Sequence, residues 1–213
     1  SLRKALVSSN APSPKKASKR SNTVVLALAD MHIGAEVQKM LKTPEFNYER
    51  VRELFSQAAA EVNETGKAVH LALCGDFIET FTGINHPRTW HEIAKDGYGA
   101  SVIRIAHDLI AEFIESIDNL AAYYMVAGNH DRTGVRKDDD PRGQAGELIH
   151  WVLNKTFPKI ETDFHPILIS KEIDGINYIL EHGHLGVDKK NVGHLAFKHG
   201  KQDMFNLILS GHW

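Results

Sequence analysis

Five apolar runs in this chain each stop at a short polar word, and that repetition constrains the fold more than any other feature. After Thr23, Val24-Val25-Leu26-Ala27-Leu28-Ala29 ends at Asp30-Met31-His32, and the run from Ala68 to Cys74 ends at Gly75-Asp76. Ala122-Tyr123-Tyr124-Met125-Val126-Ala127 ends at Gly128-Asn129-His130-Asp131. Ile176-Asn177-Tyr178-Ile179-Leu180 leads to His182-Gly183-His184, and Phe205-Asn206-Leu207-Ile208-Leu209 leads to Gly211-His212. Short apolar runs bounded by turn formers read as strands, and the continuous ones as strands buried on both faces.

Helical periodicity fills the gaps in the first half. Asn47 is a good N-cap for a helix with Val51, Leu54, Phe55, Ala58 and Val62 on one face, and Gly66 stops it. Thr89 with Glu92 makes a capping box that opens a second helical region, striped by Val102, Ile105, Ala106, Leu109, Ile110, Phe113 and Ile117. Strand, helix, strand, helix, strand predicts a parallel sheet covered by helices, the α/β class. The second half differs. It offers a helix around residues 146–157, a hairpin of Ile167-Leu168-Ile169 and 176–180 turning at Asp174-Gly175, and the last strand. No repeat or second domain is visible. Residues 1–22 hold few apolar side chains beside Lys15, Lys16, Lys19 and Arg20, and read as a flexible basic lead before one domain over 23–213.

Ligands collect beyond the carboxyl ends of strands in open α/β sheets, so the five polar words are expected in one cleft. Each brings Asp, Asn or His, donors of oxygen and imidazole nitrogen to a divalent cation. One cysteine in 213 residues excludes a disulfide framework and thiolate-rich metal chemistry, and agrees with a reducing compartment. Mixed O/N ligation suits Mn, Fe or Zn better than Ca or Mg. Gly75, Gly128 and Gly211 stand before the ligand candidates, where backbone must turn sharply or approach an ion closely. Turn formation alone also places Asp and Asn after strands, but it does not explain five such endings in order. His184 competes with His182 for one ligand position. Glu79 reads as a support for a ligand or an Arg partner, and His70, His107, His150 and His165 as ordinary histidines.

In this order the words resemble the calcineurin-like metallophosphoesterases, whose pattern is DxH, GDxx(D/E), GNH(D/E), a later His, then GHxH. The resemblance runs from Thr23 to the C-terminus. It implies a four-layer α-β-β-α sandwich, two mixed sheets flanked by helices, and a site for two divalent metal ions. By the same resemblance Asp30 and His32 bind the first metal, Asp76 bridges both, and Asn129, His182 and His212 hold the second. The family favours the first His of the 182/184 pair. His130 faces the substrate as proton donor, with Asp131 hydrogen-bonded behind it. The chain stops at Trp213, before the second His of GHxH, so the domain reads as truncated and as a piece of a larger parent chain or partnered assembly.

The implied activity is two-metal hydrolysis of phosphate esters. Within the family, Asp30-Met31-His32-Ile33-Gly34 followed by Phe46-Asn47-Tyr48-Glu49-Arg50 is similar to the nuclease branch that includes the SbcD-type exonuclease subunit, which points to nucleic acid as partner. Among metals suited to the mixed ligand set Mn is the first choice, with Fe, Zn or Mg as alternatives. Arg132 and Asn129 are the expected substrate contacts. Residues 80–88, with Asn85, His86 and Arg88, and 132–142, with Arg136 and Lys137, are loops that either shape substrate choice or are solvated surface. Lys189, Lys190, His194, Lys198, His199 and Lys201 form a basic segment able to follow a polynucleotide backbone. A net charge of -2 argues neither for nor against that partner. A small-ester phosphodiesterase or phosphatase and a scaffold with a vestigial metal site are the alternatives. No apolar run approaches the roughly 20 residues of a membrane span, and Ser1-Leu2-Arg3-Lys4 opens no signal peptide. A cytoplasmic location is expected.

Overall fold

The computed structural model describes residues 22–39, 41–83, 92–135, 140–184 and 192–212. Nearly all of the basic lead, and residues 85, 86, 88, 136, 137, 189 and 190 of the loops above, lie outside them.

Two sheets face each other. In the first, β1 (Thr23–Leu28), β3 (Ala68–Cys74), β5 (Leu120–Val126) and β6 (Glu161–His165) lie in the order β1-β3-β5-β6, and all three pairings are parallel. In the second, β7 (Leu168–Ile173) pairs antiparallel with β8 (Ile176–Glu181), which pairs parallel with β9 (Phe205–Ser210). The hairpin turn is as expected, with Asp174 and Gly175 both at positive φ, 48° and 78°. Ala72, Cys74, Ala122, Tyr124 and Val126 of the first sheet meet Ile169, Ile173 and Leu180 of the second in a shared apolar layer.

The opposite face of the first sheet is covered by α1 (Tyr48–Glu64), α2 (Gly99–Glu115) and α3 (Ala145–Thr156). Asn47 caps α1 through its side-chain oxygen, which accepts from the Arg50 N–H at 2.9 Å. Val51, Phe55, Ala59 and Val62 point inward, and the Phe55 ring stacks on Phe113 of α2 at 4.6 Å. Leu54, expected on that face, is exposed instead. On the outer side of the second sheet, α4 (Val192–His199) closes the fourth layer, its last carbonyl accepting from Ser170 Oγ and Asn177 Nδ2. The architecture is the expected α-β-β-α sandwich, but among the described residues only the second sheet is mixed and the first is wholly parallel.

Three local expectations change. Glu92 does not open a helix: Glu92–Ile93 forms β4, antiparallel to β2 (Ala35–Glu36), and α2 starts only at Gly99. Thr89 lies outside the described residues. The cause is a backbone crossing, because a Cβ on Gly97 would lie 2.6 Å from the Gly34 carbonyl oxygen, and such contact suits a strand pair, not a helix turn. β1 is not buried on both faces. Among the described residues it is a sheet edge, half-buried, with Ala27 exposed. β6 and α4 were not anticipated, since Glu161–His165 alternates polar and half-buried side chains and 192–199 reads first as charge.

Candidate metal centre

The carboxyl ends of β1, β3, β5, β8 and β9 converge, and the chain leaves them in constrained conformations. Among the described residues, seven non-glycine positions have positive φ, and four of these are the ligand candidates Asp30 (54°), His32 (42°), Asp76 (52°) and His212 (60°). Such backbone persists only where its surroundings impose it. Beyond β1 and β3 the ladder continues, with Asp30 N–H on Gly75 O at 3.1 Å and His32 N–H on Asp76 O at 3.0 Å. A Cβ on Gly75 would sit 2.7 Å from His182 Nδ1, and one on Gly128 would overlap Asp76. Those two glycines let the three loops close on one another.

Two groups of potential ligand atoms result. One ring nitrogen each of His32 and His130 and an oxygen of Asp76 lie within 4.8 Å of one another, and so do atoms of Asp76, His182 and His212. Asp76 belongs to both, which is the placement a bridging carboxylate needs. Asp30 reaches the first group, its Oδ1 3.8 Å from His32 Nε2, and its carboxylate also accepts from the His212 N–H at 3.0 Å. Asn129 joins the second, its Oδ1 3.1 Å from His182 Nε2.

Hydrogen bonding shows that these groups fit cations. His182 Nδ1 lies 2.8 Å from the Cys74 carbonyl, which only accepts, so Nδ1 carries a proton. Its other nitrogen then faces Asp76 Oδ2 at 3.0 Å and Asn129 Oδ1 at 3.1 Å. Lone pairs so close require a positive centre among them, a proton or a metal. His32 is placed similarly by an ion-pair contact: Nδ1 lies 3.0 Å from Glu79 Oε2, while Nε2 looks toward Asp30 and Asp76 at 3.8 and 3.9 Å. A carboxylate or carbonyl behind each imidazole fixes its orientation and raises its basicity toward a metal.

The electrostatics agree. Burial works against charge on Asp76, yet His182 beside it, with His130, holds its carboxyl below the ordinary value. Burial likewise opposes charge on His182 and His32, and the facing carboxylates override it and raise both. Burial pushes Asp131 up to about 7, and repulsion from Asp76 adds to it. His184, pressed by burial and then by His182 and Arg132, falls to about 4. Burial pushes the Cys74 thiol up to about 12, too high to leave a thiolate ligand at neutral pH.

Asp131 departs from its expected place. Its buried carboxylate accepts from the N–H groups of Gly128 (2.7 Å), Phe77 (2.9 Å), Asp76 (3.0 Å) and Ile78 (3.3 Å). These donors would otherwise be buried without acceptors, so Asp131 clasps the loops after β3 and β5. Glu79 stands behind His130 instead: Nδ1 lies 2.7 Å from the Glu79 carbonyl oxygen and 3.5 Å from its carboxylate. That carbonyl also only accepts, so His130 Nε2 is the nitrogen left to exchange a proton. The His32 and His130 rings meet edge-on at 4.6 Å with Glu79 serving both. The signal for Glu79 was its place three residues after Asp76. Glu181, buried beside His182, was missed, although it directly precedes a ligand candidate.

Arg132, directly after Asp131, is half-buried. Among the described residues no helix is long and apolar enough to cross a membrane. A comparison with curated protein sequences found no match. The family model described as Calcineurin-like phosphoesterase matches residues 23–212. That match spans all five strand endings and both ligand groups around Asp76, and with this geometry it places the chain in the calcineurin-like phosphoesterase family of metal-dependent hydrolases.

Proposed function

We propose that the chain cleaves phosphodiester bonds in nucleic acid with Mn as its working cation. The observation that carries this reading is the His130 imidazole, oriented by Glu79 and close to Asp76, the residue that the two ligand groups share. A sugar alkoxide is a poor leaving group and needs a proton as its P–O bond breaks. His130 Nε2 is set to deliver it, while Nδ1 stays on the Glu79 carbonyl. Asp30, His32, Asp76, Asn129, His182 and His212 would hold two divalent cations, which supply a hydroxide near neutral pH and draw charge from the phosphoryl oxygens.

Arg132 and Asn129 are the nearest candidates to orient the phosphate. The opening Asp30-Met31-His32-Ile33-Gly34 supports the nuclease branch. Phe46 and Asn47 support it less, because they pair with Val37 and cap α1. His194, Lys198 and His199 on α4 add basic character, whereas Lys201 is engaged by Glu172 at 3.0 Å. A single buried cysteine agrees with an intracellular location.

The test compares Mn-dependent cleavage of single- and double-stranded DNA, RNA and bis-p-nitrophenyl phosphate at two salt concentrations. Polynucleotide cleavage that weakens steeply with salt is expected, because backbone contacts release counterions. Turnover of the small diester with every polynucleotide intact at low salt would assign a small-molecule phosphodiesterase instead.

A further inference from the structure

The two ligand groups are unequally supplied with charge. Asp30 and Asp76 serve the first, while the second has Asp76, which it shares, and the neutral Asn129, His182 and His212. Two divalent cations bring four positive charges, and these ligands return two negative ones. Two further buried carboxylates stand one layer back, on opposite sides. Glu79 backs His32 and His130. Glu181, 5% exposed, lies at the end of β8 against the turns that carry His182 and His212. The remaining buried carboxylate, Asp131, faces four peptide N–H groups.

Glu181 joins those two turns physically. It pairs in register with Ser210 of β9, and Ser210 Oγ donates a short hydrogen bond to Glu181 Oε1. The Gly183 N–H also donates to the carboxylate. One side chain thus ties the His182-Gly183-His184 turn to Gly211-His212, and the His182 and His212 rings stand 5.1 Å apart in front of it. A buried carboxylate demands compensation, and the neighbouring peptide and hydroxyl donors give only part of it.

We propose that Glu181 is a positioning residue for the second cation: it locks the His182 and His212 turns together and supplies negative charge that their ligand set lacks. The inference rests on the two-cation reading of the site. It assigns Ser210 the lesser part, that of holding the carboxylate in place.

Metal-stripped full chain, Glu181→Gln and Ser210→Ala would be titrated with Mn by calorimetry, with electron paramagnetic resonance to distinguish a coupled Mn pair from a single ion. Glu181→Gln keeps an oxygen acceptor and removes the charge. It should weaken the second site about 10–100-fold and leave the first unchanged, with turnover recovering at high Mn. Ser210→Ala should weaken the same site by less. Two sites of wild-type affinity in Glu181→Gln would overturn the proposal, as would equal weakening of both. If circular dichroism shows Glu181→Gln unfolded, Ser210→Ala decides, and an unchanged second site there overturns it. Wild-type protein that binds no Mn would instead refute the two-cation reading itself.

Discussion

At the scale of single residues, Asp76 carries the most. Its oxygens take part in both ligand groups, and Oδ1 also accepts the His130 N–H at 2.7 Å. Asp76→Asn keeps the size and tolerates the residue's φ of 52°, so the fold should survive. The amide cannot bridge two cations, and metal analysis should find fewer than two Mn per chain, with turnover lost. Full turnover with two bound Mn would contradict the bridging role. His130→Gln should retain Mn and lose about 10²–10⁴-fold in rate on alkyl leaving groups, with a smaller loss on p-nitrophenyl esters. Equal losses on both would remove His130 from proton transfer. Glu79→Gln should lower the rate on alkyl esters in the same sense but by less, since it removes one of the two carboxylates, Glu79 and Asp76, beside His130.

At the scale of elements, the sheets and helices have separate tasks, and they can be perturbed separately. Asn47→Ala removes the hydrogen bond to the Arg50 N–H and should destabilise α1 by about 1 kcal/mol. A chain of this size should then melt about 2–4 °C lower, with kcat unchanged. A change in kcat would mean that α1 is coupled to the site. The five strand endings were legible in the sequence because apolar run, glycine and ligand candidate are contiguous. Asp131 was legible as a motif position but not as a loop clasp. Its four N–H donors come from three residues after β3 and one after β5, and only folding brings them together. β2 and β4 were hidden for a related reason. Each is two residues long, and their pairing depends on the contact between Gly34 and Gly97 across the chain.

At the scale of the whole molecule, the converging strand ends of the two sheets gather Asp30, Asp76, Glu79, Asp131 and Glu181. Cations that bind the folded chain should therefore stabilise it. At 100 times Kd each site contributes about 2.7 kcal/mol, an upward shift of roughly 5–10 °C for a protein of this length. Scanning calorimetry with Mn and then with excess chelator measures it, and equal midpoints would mean that the cations do not occupy this site. The left-handed backbone at Asp30, His32, Asp76 and His212 has a consequence for engineering. Glycine at His32 or His212, whose side chains accept no backbone hydrogen bond, would relax the chain while removing a ligand. A library sorted for heat resistance alone, without metal or substrate, should therefore drift toward glycine at these positions and return sturdier proteins that no longer turn over.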